Sequence, residues 1–229
     1  MSRKHESENP RGWCARDDLW SPVFIIAAAM LALAMPAWAQ EEMAGIVEPV
    51  SARDHLRGAR AAPVKLIEFG DTECPLCKRF HPTLKRIVDE YPGKVAWVFR
   101  HFPIVEIHPK APKEAEATEC AAELGGETAF WAYLDRLYEI TPSNDRLDPA
   151  ELPRIAQHVG LARAPFEQCL KSGRHAARIA ADVVDALAAG APGTPYSVIV
   201  APNGKTYEVV GNQPYETLRL VIDIALKQK

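Results

Sequence analysis

The chain has 229 residues, a net charge of −3, 48% hydrophobic and 25% charged residues. That composition supports one or two packed domains and excludes a disordered or low-complexity chain. It provides neither a basic field for nucleic acid nor an acidic tail.

The N-terminus stands apart. Residues 1–20 are polar and of mixed charge, with Arg3, Lys4, Arg11 and Arg16, and an unbroken apolar run follows from Val23 to Met35. Pro36-Ala37-Trp38-Ala39-Gln40 places alanine three and one residues before a cut after Ala39. The pattern predicts a secretory signal over residues 1–39, with an uncleaved membrane anchor as the alternative. Cys14 falls in this segment, which leaves Cys74, Cys77, Cys120 and Cys169 as an even set. An exported chain meets an oxidising compartment, where disulfides persist.

Residues 40–62 form an N-terminal arm with little periodicity. Val64–Phe69 reads as a strand, and Gly70-Asp71-Thr72-Glu73 leads from it into a helix over 75–91 with Phe80, Leu84, Ile87 and Val88 on one face. Pro82 is expected to kink that helix and Pro92-Gly93 to end it. Val95–Arg100 is a second strand, parallel to the first across this βαβ unit. Helical patterns follow over 110–124, stopped by Gly125-Gly126, and over 128–140. Asp148 reads as the N-cap of a helix over 148–159, with Pro149 at its first position and Glu151 three residues on. Two more helices are expected over 165–171 and 174–189. Tyr196–Val200 and Thr206–Val210 flank Asn203-Gly204, a strong hairpin signal, and a last helix spans 214–229.

Chemistry concentrates at Cys74-Pro75-Leu76-Cys77. The first thiol sits at a helix N-terminus, where unpaired N–H groups and the helix dipole favour an anion. A thiolate held there is a good nucleophile and a good leaving group. Cys74 is expected as the exposed nucleophile and Cys77, one turn in, as the buried resolving thiol. Pro75 fits the first helical turn without cost, and Leu76 supplies neither proton nor charge. Lys78 and Arg79 add screened positive charge from exposed positions. The competing reading of C-x-x-C is half a zinc site, but no second C-x-x-C and no suitably spaced histidine pair accompanies it. No metal and no bound cofactor is therefore expected.

With these pieces in place, residues 50–228 resemble the DsbA-like branch of the thioredoxin superfamily. The resemblance is carried by Cys74-Pro75-x-Cys77 after the first strand, Pro82 five residues beyond Cys77, and Glu68 six before Cys74. His101-Phe102-Pro103 and Gly193-Thr194-Pro195 before the hairpin complete it. It implies an α/β thioredoxin-like fold (βαβ…ββα), split into residues 63–104 and 191–229 by a DsbA-type helical insertion at 105–190. It further implies a cis Pro195 against the disulfide, with the Thr194 backbone binding extended substrate. Glu68 becomes a buried acid that exchanges a proton with Cys77 through water, the alternative being a glutamate facing solvent. Some relatives pair cysteines within the insertion, so Cys120 and Cys169 are either a structural disulfide or two buried free thiols. The strong oxidant of the family has histidine at the position of Leu76, so this couple is expected to be less oxidising. Tyr196 either narrows the substrate groove or packs, Trp97 or Trp131 is a possible reporter of redox state, and His101 and His108 are structural or surface groups.

The expected activity is exported thiol–disulfide exchange by a monomer, most simply as a dithiol oxidase. Its clients are cysteine-containing exported proteins, and a membrane redox partner recycles it. A periplasmic reductase or isomerase is the close rival, a metal-handling thiol module a weaker one, and a peptide-binding chaperone with an incidental disulfide a third.

Overall fold

The computed structural model describes residues 47–229. The expected signal or anchor, and residues 40–46 of the arm, lie outside the described residues. Five strands, β1 (His55–Gly58), β2 (Val64–Gly70), β3 (Val95–His101), β4 (Tyr196–Val200) and β5 (Thr206–Val210), form one sheet in the order β1-β3-β2-β4-β5. β2 and β3 pair in parallel, and the other three pairings are antiparallel. Helix α1 (Pro75–Glu90) joins β2 to β3, and α6 (Tyr215–Ala225) follows β5. Between β3 and β4 lie α2 (Ala111–Ile140), α3 (Glu151–His158), α4 (Arg163–Ser172) and α5 (Ala176–Ala188). The fold is thioredoxin-like, with the helical insertion where the resemblance places it. Among the described residues no helix is long and apolar enough to cross a membrane.

Alternation along the central strands builds two apolar layers. Val64 and Leu66 of β2, Val95, Trp97 and Phe99 of β3, and Ile199 of β4 pack with Phe80, Leu84 and Ile87 of α1 and Leu218 and Ile222 of α6. Ile67 and Phe69, Val98, Tyr196 and Val198 take the other face and pack with Ala186 of α5. The insertion has its own core around Tyr133, Leu137, Leu152, Ile155 and Phe166. Cys74 and Cys77 belong to the first layer, so the chemistry sits on the end of a fully packed unit.

Several expectations need correction. The arm is not irregular throughout: β1 runs antiparallel to β3, with His55 opposite Phe99 and Gly58 opposite Ala96. Four residues reading His-Leu-Arg-Gly carry no apolar period, and the strand is held by contacts from afar. The Arg57 guanidinium stacks on Trp131 at 4.6 Å and bonds Asp135 at 2.9 Å. Gly58 has φ +104°, and a Cβ there would meet the Val95 carbonyl oxygen at 2.9 Å, so the close approach needs glycine. The helix after the 141–147 loop starts at Glu151 rather than Asp148. Asp148 instead closes a turn, its Oδ1 accepting from the Ala150 N–H at 2.9 Å, while Glu151 pairs with Arg154. α4 starts two residues early, α5 two residues late, and α6 stops at Ala225. α1 runs through Pro82. The expected break at Gly125-Gly126 is present as a joint inside α2, with Gly126 at φ +69° and ψ −164°.

Cys120 of α2 and Cys169 of α4 form a disulfide across 49 residues of chain, inside the insertion core. Closing a loop of that size restricts the unfolded chain. Cys120→Ala/Cys169→Ala is expected to lower unfolding free energy by about 4 kcal/mol in urea titration. A loss below about 1 kcal/mol would show that the insertion core holds without the cross-link.

Candidate active site

The end of β2 feeds a tight loop into α1. The Cys74 N–H donates to the Asp71 carbonyl at 3.2 Å, and the Cys74 carbonyl accepts the first helical bond, from Lys78 N–H, at 3.1 Å. Cys74 is thus the N-cap residue, extended at φ −74° and ψ 121°, with Pro75 beginning the helix. This places the free N–H groups of the first turn beside its sulfur.

Cys74 and Cys77 are free thiols with opposite ionisation. The Cys74 thiol is lowered to about 6. The chief cause is a hydrogen bond from the Cys77 thiol. Burial opposes it, while Thr194 and the Cys77 and Leu76 backbone N–H groups reinforce it. Amides at the helix mouth, which the sequence puts first, are therefore secondary to the partner thiol. Cys77 is fully buried, and burial followed by its bond to Cys74 pushes it well above its usual range. The Asp71 N–H points at its sulfur from 3.5 Å.

The expected exposure of Cys74 is corrected: the residue is 6% accessible. Its thiol lies against the Thr194 carbonyl oxygen at 3.4 Å, in the turn before β4. Leu76 is the open neighbour, at 38%. The Thr194–Pro195 bond is cis. Thr194 is half-buried and Pro195 buried, and the Thr194 carbonyl meets the Cys74 sulfur. Lys78 is not a free surface charge either. Its ammonium donates to the Thr141 carbonyl at 2.6 Å and ties α1 to the insertion.

Glu68 faces the dithiol layer, not solvent, and is 1% accessible. Burial raises its carboxyl to about 8, the Trp97 indole N–H at 2.9 Å pulls the other way, and the Cys74 charge adds to the rise. It in turn raises Cys77. Tyr196 packs, its hydroxyl donating to the Ala189 carbonyl at 2.9 Å. His101 and His108 are both buried, the first 3.0 Å from Glu119 and the second 2.8 Å from Asp71. His55 also meets Glu119, at 3.1 Å, so histidines far apart in sequence converge between β1, β3 and α2. His175 lies near Cys120 and Cys169, but their sulfurs are bonded to each other and present no thiolate to a metal.

Sequence reasoning passed over Asp71. Its carboxylate accepts from the Glu73 and Ile104 N–H groups, both at 2.8 Å, and its carbonyl accepts from the Tyr138 hydroxyl at 3.2 Å. It also passed over His81, four residues after Cys77 and so on the same helix face. His81 lies edge-on to Trp97 and 2.6 Å from Asp135. Its burial lowers its basicity against the pull of Asp135.

A sulfur that ionises near neutrality, touching one that does not, is equipped to exchange disulfides. Comparisons with known proteins agree. The thioredoxin family profile matches residues 51–224. The chain is similar to the crystal structure of DsbA2 from Pseudomonas aeruginosa, with 31% identity and a TM-score of 0.68, over 79% of this chain and 98% of that one. It shares the fold of a thioredoxin-like oxidoreductase from Silicibacter pomeroyi DSS-3, with 24% identity and a TM-score of 0.67, over 78% and 95% of the two chains. A Na(+)/H(+) antiporter, NhaA 3 of Salinispora tropica, is 40% identical over 158 residues, which are 69% of this chain and 23% of the antiporter. The chain thus spans about a quarter of that relative. The dithiol at the mouth of α1, the matching profile and the shared architecture together make this chain a member of the thioredoxin family, in its DsbA-like branch.

Proposed function

We propose that the protein is an exported thiol–disulfide oxidoreductase that acts as a dithiol oxidase through Cys74 and Cys77. The observation that carries this reading is the split between the two thiols, one lowered to about 6 and the other pushed well above its usual range. In the oxidised enzyme a substrate thiolate attacks the Cys74 sulfur, the Cys74–Cys77 bond breaks, and Cys77 leaves with the electron pair. A buried thiolate at Cys77 is costly, so it takes a proton, supplied through water by the raised Glu68 carboxyl. A second substrate thiolate attacks the substrate sulfur of the mixed disulfide and expels Cys74 as a stable thiolate. The substrate gains a disulfide and the enzyme holds two electrons as a dithiol. A membrane redox partner then accepts them.

A low-pKa leaving sulfur favours this direction over reduction. The Cys120–Cys169 bond and the N-terminal pattern support an oxidising, extracytoplasmic site of action. The antiporter relative carries this domain in one chain with a membrane transporter, which supports work at a membrane surface. Clients are cysteine-containing exported proteins, met beside the exposed Leu76.

Equilibration with glutathione tests the direction. The acidity of Cys74 falls between those of the strong oxidant and thioredoxin, so the potential is expected between roughly −120 and −270 mV. A value more negative than thioredoxin's would make the protein a reductase. Glu68 gives a second test. Its folded value is raised, so the stability contributed by its proton is full below pH 4.5 and lost as pH rises through about 8. Glu68→Gln is expected to flatten that fall. It is also expected to slow reduction of the Cys74–Cys77 disulfide by about tenfold or more. An unaltered stability profile with an unaltered rate would remove Glu68 from the mechanism.

A further inference from the structure

The loop that carries Cys74 is clasped from behind by the helical insertion. Ser143, Asn144 and Asp145 all take left-handed backbone, with φ of 61°, 55° and 61°. Three consecutive non-glycine residues in that region are strained and persist only where their surroundings fix them. What they grip is Glu73, the residue before Cys74. The Asn144 N–H donates to the Glu73 carbonyl at 2.8 Å. The Arg146 and Leu147 N–H groups donate to the two oxygens of its carboxylate at 3.3 and 3.1 Å. Glu73 is fully buried, so main chain and side chain are both held without competition from water.

A second buried carboxyl lies nearby. Glu114, in the opening turn of α2, is 2% accessible, and its Oε2 has no hydrogen-bond partner among the described residues. Burial, followed by Glu73, pushes its carboxyl up to about 9. The clasp is itself braced by side chains: Arg146 donates to the Ser143 and Pro142 carbonyls, and Lys110 to those of Asp145 and Leu147.

We propose that Glu73, clasped by residues 143–147, is the positioning residue that aims Cys74 for exchange. The role rests on the dithiol chemistry proposed above. With the clasp intact, the peptide between Glu73 and Cys74 is fixed and the sulfur stays in line with the amides and the Cys77 thiol. With the clasp broken, Cys74 loses that alignment and its thiolate is less favoured.

Thiolate absorbance on the full chain tests this. Reduced Glu73→Ala is expected to show the Cys74 midpoint raised by about half a unit or more. That is roughly a threefold drop in the thiolate-to-thiol ratio. Glu73→Gln keeps one accepting oxygen and is expected to recover part of it. If Glu73→Ala fails to fold, Glu73→Gln alone carries the measurement. A Cys74 midpoint unmoved in both Glu73 variants, whatever their melting temperatures, overturns the positioning role. The readout is independent of turnover, so a wild-type protein that exchanges no disulfides would sink the dithiol reading and leave this result legible.

Discussion

One hydrogen bond organises this molecule's chemistry: the Cys77 thiol donating to the Cys74 sulfur at the mouth of α1. It lowers Cys74 and adds to the rise that burial gives Cys77, and so makes two like residues unlike. Nothing about a pair of cysteines a turn apart requires that outcome. It needs Cys77 buried where its own ionisation is costly, and Cys74 at the helix edge where an anion finds donors. Both conditions are met by the packing of α1 on the sheet, which puts Cys77 in the layer of Trp97 and Phe80.

The rest of the structure keeps that geometry from relaxing. Glu68 and Trp97 lie on the sheet face that the dithiol packs against and bond each other. Asp71 pins the loop between β2 and α1 through both carboxylate oxygens and its carbonyl. The insertion contributes from above through Tyr138, Lys78's hold on Thr141, and the strained turn at residues 143–145. An apparently separate helical layer is therefore part of the site's scaffold, and its disulfide keeps α2 and α4 together.

The architecture is legible in the sequence where patterns are local. Val64–Phe69, Val95–Arg100 and the Asn203-Gly204 hairpin announce themselves by alternation and turn chemistry. Gly125-Gly126 marks the joint in α2. The short strand β1 is not legible, because its hold depends on Arg57 reaching Trp131 and Asp135 more than seventy residues away. Asp148 misleads for the opposite reason: its side chain finds a nearer partner in a turn than in a helix. In the site, Cys74, Cys77, Glu68 and Pro195 can be picked out from spacing and resemblance. The contact of Cys74 with Thr194, the hub at Asp71 and the clasp on Glu73 cannot. Each joins residues from different elements, and no short-range pattern encodes the meeting.

The most direct test is a titration of Cys74 in the reduced protein, followed by thiolate absorbance, in the wild type and in Cys77→Ala. The wild type should ionise near pH 6, and removing the donor thiol should move the midpoint upward by about a unit or more. An ordinary midpoint near 9 in the wild type, or no upward move in the variant, would contradict the interaction on which the account stands.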